Sequence, residues 1–370
     1  MHSEPSRRAA PSASPGSHVA VACKPALVLP EHELSRERVQ ETAALILGEG
    51  HRHANRVKRI IENSGIERRY LVQSLVDTIT PNGFGQRNDI FIAASKELGE
   101  RAALEALRNA GVDAHDVDLI ITTSCTGFMI PSLCAHLIPK LGFSRTTKRL
   151  PITERGCAAG AFSLGMAREH IAGGGKNVLI VAHEFCSLTY QRDDVSMQAL
   201  VGALLFGDGV AACVVRGVDP LGSLNGFELH AAESWLFEDS WGYMGFQVKD
   251  SGLHLVLDKG IPGAVERSIK PVMLGFLDRN GLGADDVAFH VLHPGGKKVI
   301  DEVARTFDLA PSALEPSRKC LRDVGNLSSA SVLVVLKNTF EAAPQDGARG
   351  LLTAFGPGFS AEMVLGRWRG

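Results

Sequence analysis

Two rhythms of apolar and polar positions alternate along the chain. Short, dense apolar runs recur at residues 118–123, 177–182, 210–215, 287–292, 350–354 and 362–367. Runs of that length with few polar interruptions predict strands covered on both faces. Between them, helical spacing appears at 35–47, 89–110, 261–280, 297–307 and 330–341, the second ended by Gly111. Residues 158–167 are almost all small or apolar, which predicts a helix buried on every side and ending near Gly173-Gly174-Gly175. Phe206-Gly207-Asp208-Gly209 reads as a tight turn by composition. Strands alternating with helices argue an α/β fold. The second half repeats the rhythm of the first without a visible residue-level repeat.

Composition narrows the class. The 370 residues are 45% hydrophobic and 22% charged, enough for a large core and two units. A formal net charge of −2 predicts neither a nucleic-acid footprint nor attraction to an anionic membrane. No apolar run reaches the roughly 18 residues that a membrane helix needs. The first residues, rich in Pro, Ser, Ala and Arg without an apolar stretch, read as a disordered tail over 1–22 rather than a signal or anchor. Seven dispersed cysteines with no Cys-x-x-Cys pair argue against a disulfide framework or a zinc site and for reduced, cytoplasmic thiols. No metal, nicotinamide or flavin motif is visible.

Three residues carry candidate chemistry. Cys157, within Gly156-Cys157-Ala158-Ala159-Gly160, sits where the buried helix begins. The macrodipole and free first-turn N–H groups there favour a nucleophilic thiolate. His293 ends a strand and precedes Pro294-Gly295-Gly296; Asn326 precedes a helix, where an N-cap is the plain alternative. Cys, His and Asn also serve cysteine proteases, but the mid-chain Cys157 inside an α/β alternation does not suit the papain-like arrangement. His and Asn together can instead donate to one carbonyl oxygen and stabilise an enolate. Arg52, Arg56 and Arg59 share a helix face, either plainly solvated or a polyphosphate patch.

Five motifs occur in order: the Cys157 segment, Leu205-Phe206-Gly207-Asp208-Gly209, His293-Pro294-Gly295-Gly296, Gly325-Asn326-Leu327-Ser328-Ser329-Ala330 and Phe355-Gly356-Pro357-Gly358. Together they resemble the type III polyketide synthases, the chalcone-synthase-like branch of the thiolase fold. Ser124-Cys125-Thr126-Gly127-Phe128-Met129 and Glu184-Phe185-Cys186-Ser187-Leu188-Thr189-Tyr190 resemble the bacterial members. The resemblance implies an αβαβα thiolase-like fold of two similar halves, 23–230 with the nucleophile and 231–370 with His and Asn, in a cytoplasmic homodimer. It implies Cys157, His293 and Asn326 as catalytic residues. No cofactor is bound permanently; acyl-CoA thioesters are substrates and malonyl-CoA the extender, condensed repeatedly and cyclised. No acyl carrier protein, nucleic acid or membrane partner is expected. Phe206 matches a gatekeeper aromatic, and Leu255 stands where plant members carry a second. Cys125, Thr126, Cys186, Thr189, Phe246 and Ser328 fall at cavity positions. Arg56 and Arg59 match coenzyme A phosphate contacts, with Asn63 replacing a third basic residue. Ile130 falls on a loop that reaches the partner across the dimer. A single-condensation 3-oxoacyl synthase and an inert scaffold of the same fold are the alternatives.

Overall fold

The structure, a computed structural model, describes residues 18–47, 52–80, 82–258 and 260–370. Its elements run β1 (Val19–Ala22), β2 (Ala26–Val28), β3 (His32–Ser35), α1 (Arg36–Leu47), α2 (Ala54–Asn63), β4 (Arg68–Leu71), α3 (Leu75–Ile79), α4 (Phe84–Ala110), β5 (Leu119–Thr123), α5 (Leu133–Leu141), β6 (Lys148–Ile152), α6 (Ala159–Ala172), β7 (Asn177–Phe185) and α7 (Met197–Leu205). They continue as β8 (Asp208–Val218), β9 (Gly226–Leu236), β10 (Met244–Lys249), β11 (Gly252–Leu257), α8 (Ile261–Arg279), β12 (Phe289–Leu292), α9 (Lys297–Thr306), α10 (Glu315–Val324), α11 (Ser331–Ala342), β13 (Arg349–Gly356) and β14 (Ser360–Arg369).

Among the described residues the main sheet runs β12-β13-β14-β9-β1-β8-β7-β5-β6, with β2 on β8. Its central strands are buried on both faces, and period-2 alternation divides their side chains between clusters. Ile121, Ile180, Cys213, Leu352 and Val364 point to a central cluster with Leu164 of α6 and Leu333 of α11. Ile120, Leu179 and Val214 point the other way, to Leu98 of α4. Leu351 and Met363 face Met273 and Phe276 of α8. The layers are therefore helix, strand, helix, strand, helix, with α6 and α11 in the middle, which gives the thiolase-like αβαβα arrangement.

The two halves repeat each other. β5 pairs parallel with β7, which pairs antiparallel with β8; β12 pairs parallel with β13, which pairs antiparallel with β14. A 3₁₀ turn, Gly156–Ala158, leads into α6, and another, Ser328–Ala330, leads into α11. A residue-level echo exists after all. Gly111-Val112-Asp113-Ala114-His115-Asp116-Val117 and Gly281-Leu282-Gly283-Ala284-Asp285-Asp286-Val287 each close a long helix with a left-handed Gly, turn once, and lead into an equivalent strand, β5 or β12. Only Gly, Ala, Asp and Val are shared, too few for the sequence alone to reveal.

Several expectations need correction. The tail was expected to reach residue 22; residues 1–17 lie outside the described residues, but Val19–Ala22 is a strand between β8 and β9. The turn at 206–209 is shorter than its composition implies, because β8 already begins at Asp208. The strands β9, β10 and β11 were not foreseen. β9 buries only its first four residues and then turns polar and exposed, so no dense apolar run marks it. The 230/231 division falls within this strand.

Candidate active site

Packing at small residues brings the two 3₁₀ turns together. A Cβ on Gly160 would lie 2.3 Å from the Ser329 carbonyl oxygen, so α6 meets the second turn at backbone distance. Gly156 has φ +47, and a Cβ there would meet Pro357 at 2.6 Å. The 355–358 loop thus lies directly against the cysteine turn. These close approaches place Cys157 beside Ser328, with Sγ 3.4 Å from the Ser328 hydroxyl. The same hydroxyl lies 3.3 Å from the Cys125 sulfur, so one serine stands between two thiols.

Asn326 is fixed from two sides. Its backbone bridges the end of α7, with N–H donating to Leu205 O and its carbonyl accepting from Gly207 N–H. Its Oδ1 accepts from the Ser328 N–H at 2.8 Å and the Ser331 hydroxyl at 3.2 Å. That sets the amide orientation and leaves Nδ2 as a donor with no protein hydrogen bond among the described residues. The plain N-cap reading fails: the residue before α11 is Ala330. His293 follows β12, its N–H bonded to Thr353 O of β13, and its Nδ1 is buried without a hydrogen-bond partner among the described residues. The adjoining Gly296 approaches the Leu205 side chain, so the His and Asn loops meet at the end of α7.

A cavity of about 820 Å³ opens over Cys157. Cys125, Thr126, Cys186, Thr189, Phe206, Phe246, Leu255 and Ser328 all line it. Phe246 and Leu255 face each other across the β10–β11 hairpin. Leu255 also packs onto α7 at Gly202, near the Phe206 ring, so the two side chains are neighbours. His293 and Asn326 are each 2% exposed and are not among the residues that line the cavity. Arg56 and Arg59 are exposed on α2, whose opposite face sends Val57 into the cavity. Asn63 closes that helix by donating to Arg59 O. Ile130 projects into solvent at 96% exposure, two residues beyond the cavity-lining Phe128.

Comparison with known proteins gives the same picture. The sequence matches the profile of chalcone and stilbene synthases, N-terminal domain, over residues 6–220, and their C-terminal domain over 228–368. It is 36% identical to 1,3,6,8-tetrahydroxynaphthalene synthase of Streptomyces griseus, spanning 95% of this chain and 93% of that protein. It is 37% identical to phloroglucinol synthase of Pseudomonas fluorescens, spanning 94% and 98%. The crystal structure of the Streptomyces coelicolor tetrahydroxynaphthalene synthase superposes with a TM-score of 0.90 at 38% identity, covering 95% of this chain and 99% of the other. The chain belongs to the chalcone and stilbene synthase family and is a type III polyketide synthase.

In this polyketide synthase, burial works against charge at each reactive group taken singly. It pushes the Cys157 thiol up to about 12 despite the helix start behind it, because Cys157 is 7% exposed. The helix start alone, which the sequence suggested as the source of a thiolate, is therefore insufficient. Burial also pulls His293 down to about 4.

Sequence reasoning gave Glu184 no role. This carboxylate on β7 is 0% exposed. It accepts from the Ser124 and Thr126 hydroxyls and the Cys125 N–H of the first half, and from the Ser329 hydroxyl and N–H of the second. Burial raises its pKa against those bonds. It ties the Cys125 loop to the turn that carries Ser328. A glutamate at the end of an apolar strand, followed by a cavity motif, was the available signal. The cavity wall formed by Leu34, Val39, Val57, Leu71 and Leu75 was also missed. Val57 and Ile61, spaced i,i+4 between the arginines of α2, marked that helix as two-faced.

Proposed function

We propose that Cys157 takes a starter acyl group from an acyl-CoA and that His293 and Asn326 donate to the thioester carbonyl of malonyl-CoA while CO₂ leaves. The enolate attacks the Cys157 thioester, the cycle repeats, and the chain cyclises in the cavity. The observation that carries this reading is a cysteine that opens on a cavity and meets the Asn326–Ser328 turn through Ser328, together with two buried side chains, His293 and Asn326, whose Nδ1 and Nδ2 have no hydrogen bond among the described residues. Such groups suit charge that appears only during reaction. Because burial penalises a lone thiolate and a lone imidazolium, the proton passes from Cys157 to His293 so that both charges appear together and attract.

The exposed Arg56 and Arg59 suit the phosphates of coenzyme A at the cavity's outer edge. The named products of the relatives point to malonyl-CoA as extender and an aromatic polyphenol as product. Purified protein given malonyl-CoA alone should yield such a product by mass spectrometry. Release of CO₂ and coenzyme A without a polyketide would instead require a separate starter, and turnover only with carrier-bound malonate would favour the single-condensation synthase.

Exposed Ile130 beside the cavity loop supports a homodimer in which this residue meets the partner. A monomeric sedimentation coefficient would remove that part of the proposal. A cytoplasmic setting fits seven free thiols, five of them buried. Among the described residues no helix is long and apolar enough to cross a membrane. We place the two functional halves on either side of β9, the first with Cys157 before its central helix and the second with His293 and Asn326.

A further inference from the structure

Arg69 belongs to none of the five motifs, yet it lies at the centre of their packing. It sits on β4, is 3% exposed, and reaches the cavity wall. Its Nη1 donates to the carbonyls of Ala203 and, at 2.8 Å, Phe206. Those carbonyls belong to the end of α7, the segment whose Leu205 O and Gly207 N–H bridge Asn326. The guanidinium charge is balanced by nearby Asp208, which is itself held by Ser187 and the Val72 N–H.

The stem of Arg69 also explains two motif glycines. A Cβ on Gly325, at φ +73, would lie 2.9 Å from Arg69 Cγ and 3.1 Å from Leu205 O. A Cβ on Gly207 would lie 2.8 Å from Val324 O and 3.4 Å from Arg69 Cβ. The arginine therefore runs through the space that both glycines leave open, with the Phe206 and Asn326 strands on either side.

We infer that Arg69 is a positioning residue: it holds the 205–207 backbone against Asn326 and thereby sets where the Asn326 amide meets the malonyl thioester. The inference rests on the proposed role of Asn326 in decarboxylation. Arg69 touches no reacting atom. It acts through the backbone bridge, and by the same contacts it fixes the Phe206 ring at the cavity wall.

The test compares two half-reactions in purified full-length protein. Malonyl-CoA decarboxylation is followed by CO₂ release; acylation of Cys157 by a starter acyl-CoA is followed by intact-protein mass. Arg69→Met should lower kcat for CO₂ release about 10-fold or more, with KM within about twofold and Cys157 acylated at the normal rate. Arg69→Lys, which keeps a donor at the same place, should recover most of the loss. Should Arg69→Met fail to fold, Gly207→Ala disturbs the same bridge without removing the arginine and should show the same split. Equal loss in both half-reactions, or in neither, overturns the inference by making Arg69 a general packing residue. Asn326→Ala, run beside them, separates the two ideas. If it retains CO₂ release, the reading of the site fails; if it loses CO₂ release while Arg69→Met keeps it, only the positioning role fails.

Discussion

The turn before α6 and the turn before α11 occupy equivalent places in the two halves but carry different chemistry. The first presents Cys157, a single nucleophile among Gly and Ala, on a helix so close to its neighbour that Gly160 has no room for a side chain. The second presents Ser328, Ser329 and, just upstream, Asn326, all hydrogen-bonded and none nucleophilic. In the proposed mechanism, one scaffold used twice supplies a covalent anchor on one side and fixed polar groups on the other. The difference lies in what each turn needs from its surroundings. In that mechanism the cysteine needs His293, just beyond β12, as proton acceptor; the asparagine needs only a rigid backbone.

The largest effect should come from removing that acceptor. Without His293 the buried Cys157 has no counter-charge, and burial holds its thiol above the ordinary value of 9.0. A raised pKa lowers the thiolate fraction at neutral pH. Alkylation of the Cys157 peptide by iodoacetamide should then proceed near neutrality in the intact protein, but only above pH 9 in His293→Gln. At pH 7 the rate should fall by roughly 10²-fold, since each pKa unit is a factor of ten. Identical pH profiles for the two proteins would remove His293 from this role.

A smaller, structural effect should follow from pushing the two turns apart. Gly160→Ala places a methyl against the Ser329 carbonyl and should destabilise the fold by about 1–3 kcal/mol, read from chemical denaturation. Product formation should fall further than Cys157 acylation, because the displaced turn carries Ser328 and leads back to Asn326. An unchanged denaturation midpoint would mean that the turns are not packed as tightly as described.

Much of this was legible in the sequence, for different reasons in different places. The buried strands and α6 were readable because dense apolar runs leave few other places for a segment to go. The turns that hold Cys157, His293 and Asn326 were readable because glycines flank the cysteine and asparagine turns and follow the histidine, and glycine marks close backbone approach. The hairpin of Phe246 and Leu255 was poorly readable, since its strands are half-exposed and lack a clean period. Arg69 and Glu184 were hidden for a deeper reason. Each acts through contacts 58 to 145 residues away in the chain, and local pattern carries no trace of such partners. The proton balance of Cys157 was misjudged because burial depends on the whole fold, whereas a helix start can be seen locally.

The central claim is that the two turns perform separable steps, and one comparison tests it most directly: CO₂ release from malonyl-CoA by Cys157→Ala beside Asn326→Ala. The account predicts that Cys157→Ala forms no polyketide yet still releases CO₂, whereas Asn326→Ala loses about 10²- to 10³-fold in CO₂ release and is still acylated at Cys157. Loss of CO₂ release in Cys157→Ala, in protein that remains folded, would contradict the division of labour between the halves.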